Sequence, residues 1–322
     1  MKKNNLLLLK LTRQRAHLLL GVLVTIFISC GKVVEPKKEF IVSVDNIQLE
    51  MVKVNTPTPL HNSGDQPVWM AQSGTAIYFS NPASGAPQFF DKYDLTTNSF
   101  TALAPFSTIC MCVHESKLVP AGNDLFYIPE GSGMKYDVTS NTFTPTSHSA
   151  DAAATVGKSG VGYLNGRIYF LGQNSLSKTF MYYDVANDSW GLLPDYFYNT
   201  NSSNLLGVNN KLYVFGGVNT SRKVSVYDPA TQDWTAKRDA NFDMDYSFDR
   251  HLTALYNGRF VFVLHASSIH IYDIETDTWS ATPRTLQLSS DLRVRNLFSI
   301  NNKLYLTGIN NGNFELYALK IK

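Results

Sequence analysis

Three connecting stretches hold the residue types best suited to chemistry. Residues 236–251, AKRDANFDMDYSFDRH, carry Lys237, Arg238, Asp239, Asp243, Asp245, Tyr246, Asp249, Arg250 and His251. Residues 194–204 carry Asp195, Tyr196, Phe197 and Tyr198, and residues 284–295 carry Arg284, Asp291, Arg293 and Arg295. Aromatic faces beside guanidinium and carboxylate groups suit a sugar or another polar ligand, through stacking and bidentate hydrogen bonds. The candidate ligand-binding residues are Tyr196, Tyr198, Arg238, Asp245, Arg250 and Arg293. The plainer alternative is a set of solvated loops whose charges satisfy one another.

Other constellations carry less. If the segment is extended, Cys110, Cys112 and His114 share one face, and thiolate, thioether (Met111) and imidazole together suit copper(I) or zinc. The C-x-C-x-H spacing fits no closed zinc site and no second ligand pair follows, so no metal is expected; two small residues entering a strand explain it as well. Asp243 and Asp245 are spaced for acid–base work only if folding sets their separation. His270 and Tyr272 alternate on one strand, which favours packing for His270. No G-x-S-x-G, H-E-x-x-H or phosphate-binding glycine loop occurs, so no catalytic residue and no cofactor is assigned.

These stretches must be held by the rest of 322 residues, 44% hydrophobic and 17% charged, enough for a large core. The formal charge of +2 comes from the start of the chain. Residues 1–29 hold Lys2, Lys3, Lys10, Arg13 and Arg15 and no acid, which leaves the remainder at −3. No basic stripe interleaved with aromatics is present, which disfavours nucleic acid. The basic segment, an apolar run from Leu18 to Ile28 and then Ser29-Cys30-Gly31 read as a secretory signal, too short to span a bilayer. Phe27-Ile28-Ser29-Cys30 resembles a bacterial lipobox. That resemblance implies cleavage before Cys30, acylation of its thiol and amine, and a protein anchored to the cell envelope, facing periplasm or exterior. Residues 30–39 then form a tether.

The remaining chain repeats. Tyr-Asp recurs at Tyr93, Tyr136, Tyr183, Tyr227 and Tyr272, each followed seven residues after the Tyr by Phe100, Phe143, Trp190, Trp234 or Trp279. Upstream of each lies an apolar run after a small polar turn, such as Asn209-Asn210-Lys211 before LYVFGG. Equivalent positions Ile77, Leu125, Tyr169, Tyr213, Val261 and Tyr305 step by 48, 44, 44, 48 and 44 residues. A period in the mid-forties, built from short strands, signals a β-propeller. Each unit reads as strands a to d, with Asn-Gly or Asn-Asn hairpins between a and b and an Asp-led turn between c and d. The sixth Tyr, Tyr317, has no partner before the chain stops at Lys322. Residues 40–54, FIVSVDNIQLEMVKV, alternate like a strand and are expected to supply the outer strand of the last blade, because a ring must close or expose an edge.

An apolar strand ending in Gly-Gly, then Tyr-Asp, a turn and Trp, resembles the kelch repeat, here over residues 73–322. The full glycine pair survives only at Gly216-Gly217. The expected architecture is all-β, a six-bladed kelch-type propeller over residues 40–322 with its last blade closed by the N-terminal strand. The resemblance implies a binding module for a glycan or protein ligand on the face formed by b–c and d–a loops. Among kelch-fold enzymes, sialic-acid mutarotases are similar in size and compartment, and galactose oxidase is larger with a copper centre. No ligand or catalytic residue of either transfers to a position here. The lipoprotein reading has a direct check: the intact mass of membrane-extracted protein should show cleavage before Cys30 and added acyl chains. An unmodified Cys30 or a retained leader contradicts it.

Overall fold

The computed structural model describes residues 43–60, 69–81, 89–104, 117–128, 133–147, 158–173, 176–244 and 252–322. Among them the one helical element is a 3-10 turn, Val44–Asn46, and no helix is long and apolar enough to cross a membrane. The expected signal segment, Cys30 and the tether lie outside these residues.

Strand β1 spans Leu49–Lys53. Antiparallel meanders follow in sequence. The first is β2 (Trp69–Ser73), β3 (Ala76–Asn81), β4 (Phe89–Asp94) and β5 (Ser99–Ala102); the second is β6 (Lys117–Ala121), β7 (Asp124–Ile128), β8 (Met134–Asp137) and β9 (Thr142–Pro145). Next come β10 (Gly160–Leu164), β11 (Arg167–Leu171), β12 (Phe180–Asp184) and β13 (Ser189–Leu193), then β14 (Asn204–Val208), β15 (Lys211–Phe215), β16 (Val224–Asp228) and β17 (Asp233–Ala236). These two meanders merge into one eight-stranded sheet through a parallel bridge, Val161 to Asn204. The fifth is β18 (Thr253–Tyr256), β19 (Phe260–His265), β20 (Ser268–Asp273) and β21 (Thr278–Trp279), with β22 (Arg284–Thr285) also on β20. The last is β23 (Leu292–Ile300), β24 (Lys303–Asn310) and β25 (Asn313–Ile321), completed by β1. The first strands meet in the cyclic order β2, β6, β10, β14, β18, β23 and back to β2.

The closing strand lies where the alternation of residues 40–54 places it. β1 runs antiparallel to β25 from Leu49 opposite Ile321 to Lys53 opposite Tyr317. Glu315 accepts from Lys53 Nζ at 2.5 Å and from the Tyr317 hydroxyl at 2.5 Å. The 3-10 turn before β1 is gripped by Arg284, whose guanidinium donates to the carbonyls of Val44, Asp45 and Ile47.

Each Tyr pairs in register with its aromatic seven residues on, as Tyr227 with Trp234, and the rings interleave between sheets. Phe90 packs on Tyr136 at 4.8 Å, Phe180 on Tyr227 at 4.8 Å, and Phe215 on Tyr272 at 5.7 Å. The Asp after the Tyr caps its turn, accepting main-chain N–H bonds, as Asp137 does from Thr139 and Ser140.

A further residue, five after the Tyr, does more. Asn98, Asn141, Asp188 and Asp277 all have φ near +50°, a region that Asn and Asp tolerate best after glycine. Each accepts the hydroxyl of its own Tyr at 2.5–2.8 Å. Asn141, Asp188 and Asp277 also accept a main-chain N–H from the preceding meander: from Ala104 (3.2 Å), Ser147 (2.7 Å) and Arg238 (2.9 Å). Trp190 and Trp279 return the bond through their indole N–H, to the carbonyls of Ser147 and Arg238. The fourth unit departs consistently. It has Gln232 at this position, and the residue that would donate to it is Pro194, which has no N–H. The buried Tyr227 hydroxyl there has no partner among the described residues. At the closing seam the role is divided: Asp45 accepts from Ala281 N–H at 2.7 Å, and Glu315 takes the Tyr317 hydroxyl.

Two predictions follow from these contacts. Asn141→Ala strands a buried hydroxyl and a main-chain N–H, and should cost about 1–3 kcal/mol by denaturant unfolding. Gln232→Asn relieves positive φ (+61°) and offers Tyr227 an acceptor, so it should raise stability by roughly 0.5–1.5 kcal/mol. Equal or lower stability of the Asn variant would show that position 232 does not act in this way.

Candidate functional site

In a meander of this kind the b–c loops and d–a connections share one face, and the a–b and c–d turns share the other. The first face is asymmetric. The b–c connections of the third and fourth meanders are long, whereas β19–β20 and β24–β25 are joined by two-residue turns, Ala266-Ser267 and Asn311-Gly312. Among the described residues, long irregular backbone on this face lies around the third and fourth meanders.

The sequence there explains the shape. The connection 194–204 is largely a buried polar knot: Thr200, Asn201, Ser202, Ser203 and Asn204 are all buried. Thr200 Oγ1 lies 2.8 Å from Thr220 Oγ1 and donates to the Val218 carbonyl at 3.0 Å. Gly217, at φ +113°, lies so close that a Cβ there would sit 2.3 Å from Ser203 Oγ and 2.5 Å from Thr200 Oγ1. The one intact glycine pair thus lets the b–c loop of the fourth meander lie against this knot.

The candidate residues fall into different settings. Tyr196 is 2% exposed; its ring packs on Trp234 at 4.8 Å and its hydroxyl lies 3.0 Å from Ser225 Oγ. Burial pushes its phenol up to about 12. Tyr198 is 37% exposed and Phe197 42%. Tyr196 and Tyr198 are together, ring centroids 5.6 Å apart. Lys223 Nζ lies 5.8 Å from the Tyr198 ring centroid and 2.5 Å from Asp239 Oδ2. Arg238 contributes its main chain to the fourth-to-fifth seam, and its side chain is exposed. Arg293 is exposed on β23 in another sheet, opposite Ile309. Asp245 and Arg250 lie outside the described residues, as do Cys110, Cys112 and His114. Among the described residues no group of three or more His, Cys, Asp or Glu is placed to hold a metal.

Two cations that sequence reasoning missed organise the surface. Arg222 holds Asp243 bidentately at 3.0 and 3.1 Å, with Ser221 Oγ at 2.7 Å, while Lys223 holds Asp239. These bonds, led by Arg222, lower the Asp243 carboxyl to about 2. The available signal was Ser221-Arg222-Lys223, a basic run just after the glycine pair. The two described acids of 236–244, Asp239 and Asp243, therefore pair with the neighbouring b–c loop. Beside them, Phe242 stacks on the buried His270 with ring centroids 3.4 Å apart, and His265 lies 6.4 Å from His270.

A second feature lies on the axis. A cavity of about 660 Å³ runs between the first strands of the meanders, from mid-strand to the a–b turns at Gly74, Gly122, Asn301 and Asn302. Every described residue lining it is uncharged; the polar ones include Gln72, Tyr163, Thr253, Asn296 and Ser299.

The kelch motif family model matches residues 203–239, the fourth meander from its buried knot to its seam. Kelch-like protein 15 of Homo sapiens is 27% identical over 177 residues, covering 46% of this chain and 29% of that protein. The Danio rerio protein of the same name is 27% identical over 176 residues, 45% of this chain and 29% of its own. The chain thus spans under a third of the length of these curated relatives. The solved structure of YjhT superimposes with a TM-score of 0.62 at 12% identity, covering 83% of this chain and 99% of that one, which is a likeness of fold.

The histidine stack gives a pH prediction. Burial, and then the neighbouring His265, lower His270 to about 4. The unfolded chain, titrating near 6.5, therefore binds more protons between these values. Stability should fall as pH drops from about 6.5 to about 4, by on the order of 3 kcal/mol. His270→Phe should flatten that segment of the curve, and an unchanged slope between pH 6.5 and 4 would contradict the assignment.

Proposed function

As a divergent kelch-repeat β-propeller, the protein is, we propose, an envelope-anchored interaction module that holds a glycan or protein partner on its b–c and d–a loop face. The meanders and their cyclic order support a ring of six blades over residues 40–322. Residues 1–29 are the signal, and acylated Cys30 with residues 30–39 forms the membrane tether.

The observation that carries this reading is the exposed aromatic pair Phe197 and Tyr198 above a rigid base. Both rings stand on Tyr196, and Phe197 also on Trp234; Tyr196 and Trp234 pack on each other between the third and fourth blades. Lys223 and Asp239 flank them with a charge of each sign. Large rings held on a rigid base are effective contact groups, because little side-chain freedom is lost on binding. The same rings suit the C–H faces of a sugar. The sugar-active alternative, of the sialic-acid mutarotase kind, needs charged groups converging on the substrate; Asp239 and Asp243 of this face are instead paired with Lys223 and Arg222.

The test is direct. Full-length protein is assayed by biolayer interferometry against a glycan array and purified envelope components. Phe197→Ala/Tyr198→Ala should weaken binding at least about tenfold, without a matching loss of thermal stability. Equal binding by the double variant would refute the loop-face site. Anomer exchange of N-acetylneuraminic acid above the buffer rate, followed by NMR, would favour the enzyme instead.

A further inference from the structure

The axial cavity plays no part in the loop-face reading, yet it has the character of a site. Both faces of each sheet pack on neighbouring sheets, so each core cluster draws on consecutive meanders. The first strands therefore turn an edge, not a face, toward the axis. Among the described residues only β10 and β14 pair with each other along this edge, at Val161 and Asn204. Their main chains are brought close where Gly207 faces Tyr163, a Cβ there lying 2.5 Å from the Tyr163 carbonyl. Among the described residues β2, β6 and β18 each end their sheet on this side, so their edges bring main-chain N–H and C=O groups to the cavity. Amide side chains add to them: Asn296 at mid-depth, already donating to the Met70 carbonyl at 3.0 Å, and Gln72 nearer the mouth. The mouth is pre-formed. Its turns are linked around the rim by Ser73 Oγ to the Gly122 carbonyl (3.5 Å) and by Asn165 Nδ2 to Asn210 Oδ1 (3.2 Å).

Chemistry narrows the ligand. An anion or cation would lose its hydration here with no described counter-charge among the lining residues, which is costly. A purely apolar ligand would leave the strand edges unsatisfied. A polyhydroxylated neutral molecule avoids both costs. Each hydroxyl donates and accepts, matching an edge of alternating donors and acceptors. Its C–H faces pack on Phe298, Leu206 and Leu255. The volume of about 660 Å³ falls within the usual range for small-molecule pockets.

We propose that the a–b turn end of the axial cavity binds an uncharged mono- or disaccharide, at a second site on the face opposite the loop site. The probes are D-glucose, D-galactose, N-acetylglucosamine and maltose, with N-acetylneuraminic acid as the anionic control. Binding to full-length protein is read by calorimetry and by shifts of the Leu206 and Leu255 methyl signals. At least one neutral sugar should bind and move those methyls, with the anion binding at least about tenfold more weakly. Leu206→Trp and Ser299→Trp fill the mouth and should each abolish binding; Phe197→Ala/Tyr198→Ala should leave it unchanged. The methyl shifts in the unsubstituted protein keep the test valid should a Trp variant fail to fold. No binding across the neutral panel, no shift of the Leu206 and Leu255 methyls, or loss of binding in the loop-face variant would overturn the proposal.

Discussion

At three seams between neighbouring sheets, one side-chain oxygen serves two donors. It takes the buried Tyr hydroxyl of its own turn and a main-chain N–H of the preceding sheet, as Asn141, Asp188 and Asp277 do. Both donors would be costly to leave unpaired, and the oxygen is delivered by a residue whose left-handed backbone favours Asn or Asp over bulkier types. Register within the c–d hairpin is thereby coupled to the docking of the next sheet. The fourth unit shows the logic by exception: where the neighbour is Pro194 and has no N–H, the position is Gln232. At the closing seam the acceptor for the neighbour's N–H is Asp45, far away in sequence, and Arg284 fixes the turn that carries it.

Much of this scaffold was legible in the sequence. The seven-residue interval from Tyr to Trp or Phe located the c–d hairpins, because both rings must face a neighbouring sheet. Alternation in residues 40–54 located the closing strand. The fifth-position clasp was not legible. Asn98, Asn141, Asp188 and Asp277 sit in polar turns that read as solvent-facing, and only distances reveal that their oxygens point inward. The two-residue b–c turn of the fifth meander was not legible either, since Ala266-Ser267 lacks the usual hairpin residues.

The candidate site was less legible than the scaffold. Composition singled out Tyr196 and Tyr198 equally, yet one is a buried wedge against Trp234 and the other an exposed ring, a difference set by irregular loop backbone, since two residues apart in an extended strand would share a face. Asp243 looked available for chemistry, but Arg222, twenty-one residues away, occupies both of its oxygens. The axial cavity left no signature at all, because it is walled by main-chain edges of ordinary strands. Regular residues thus build the frame, while the proposed recognition sites are an irregular loop patch on one face and a neutral channel reaching the other.

Everything placed on either face presupposes a ring whose first and last elements are joined by β1. Deleting residues 40–54 removes that strand together with Asp45 and Lys53, and exposes the long edge of β25. The measurement is the melting temperature with the solution mass of the truncated protein. A marked fall in melting temperature, with self-association through the freed edge, is the expected result; an unchanged melting temperature in a monomer would contradict closure of the ring by the N-terminal strand.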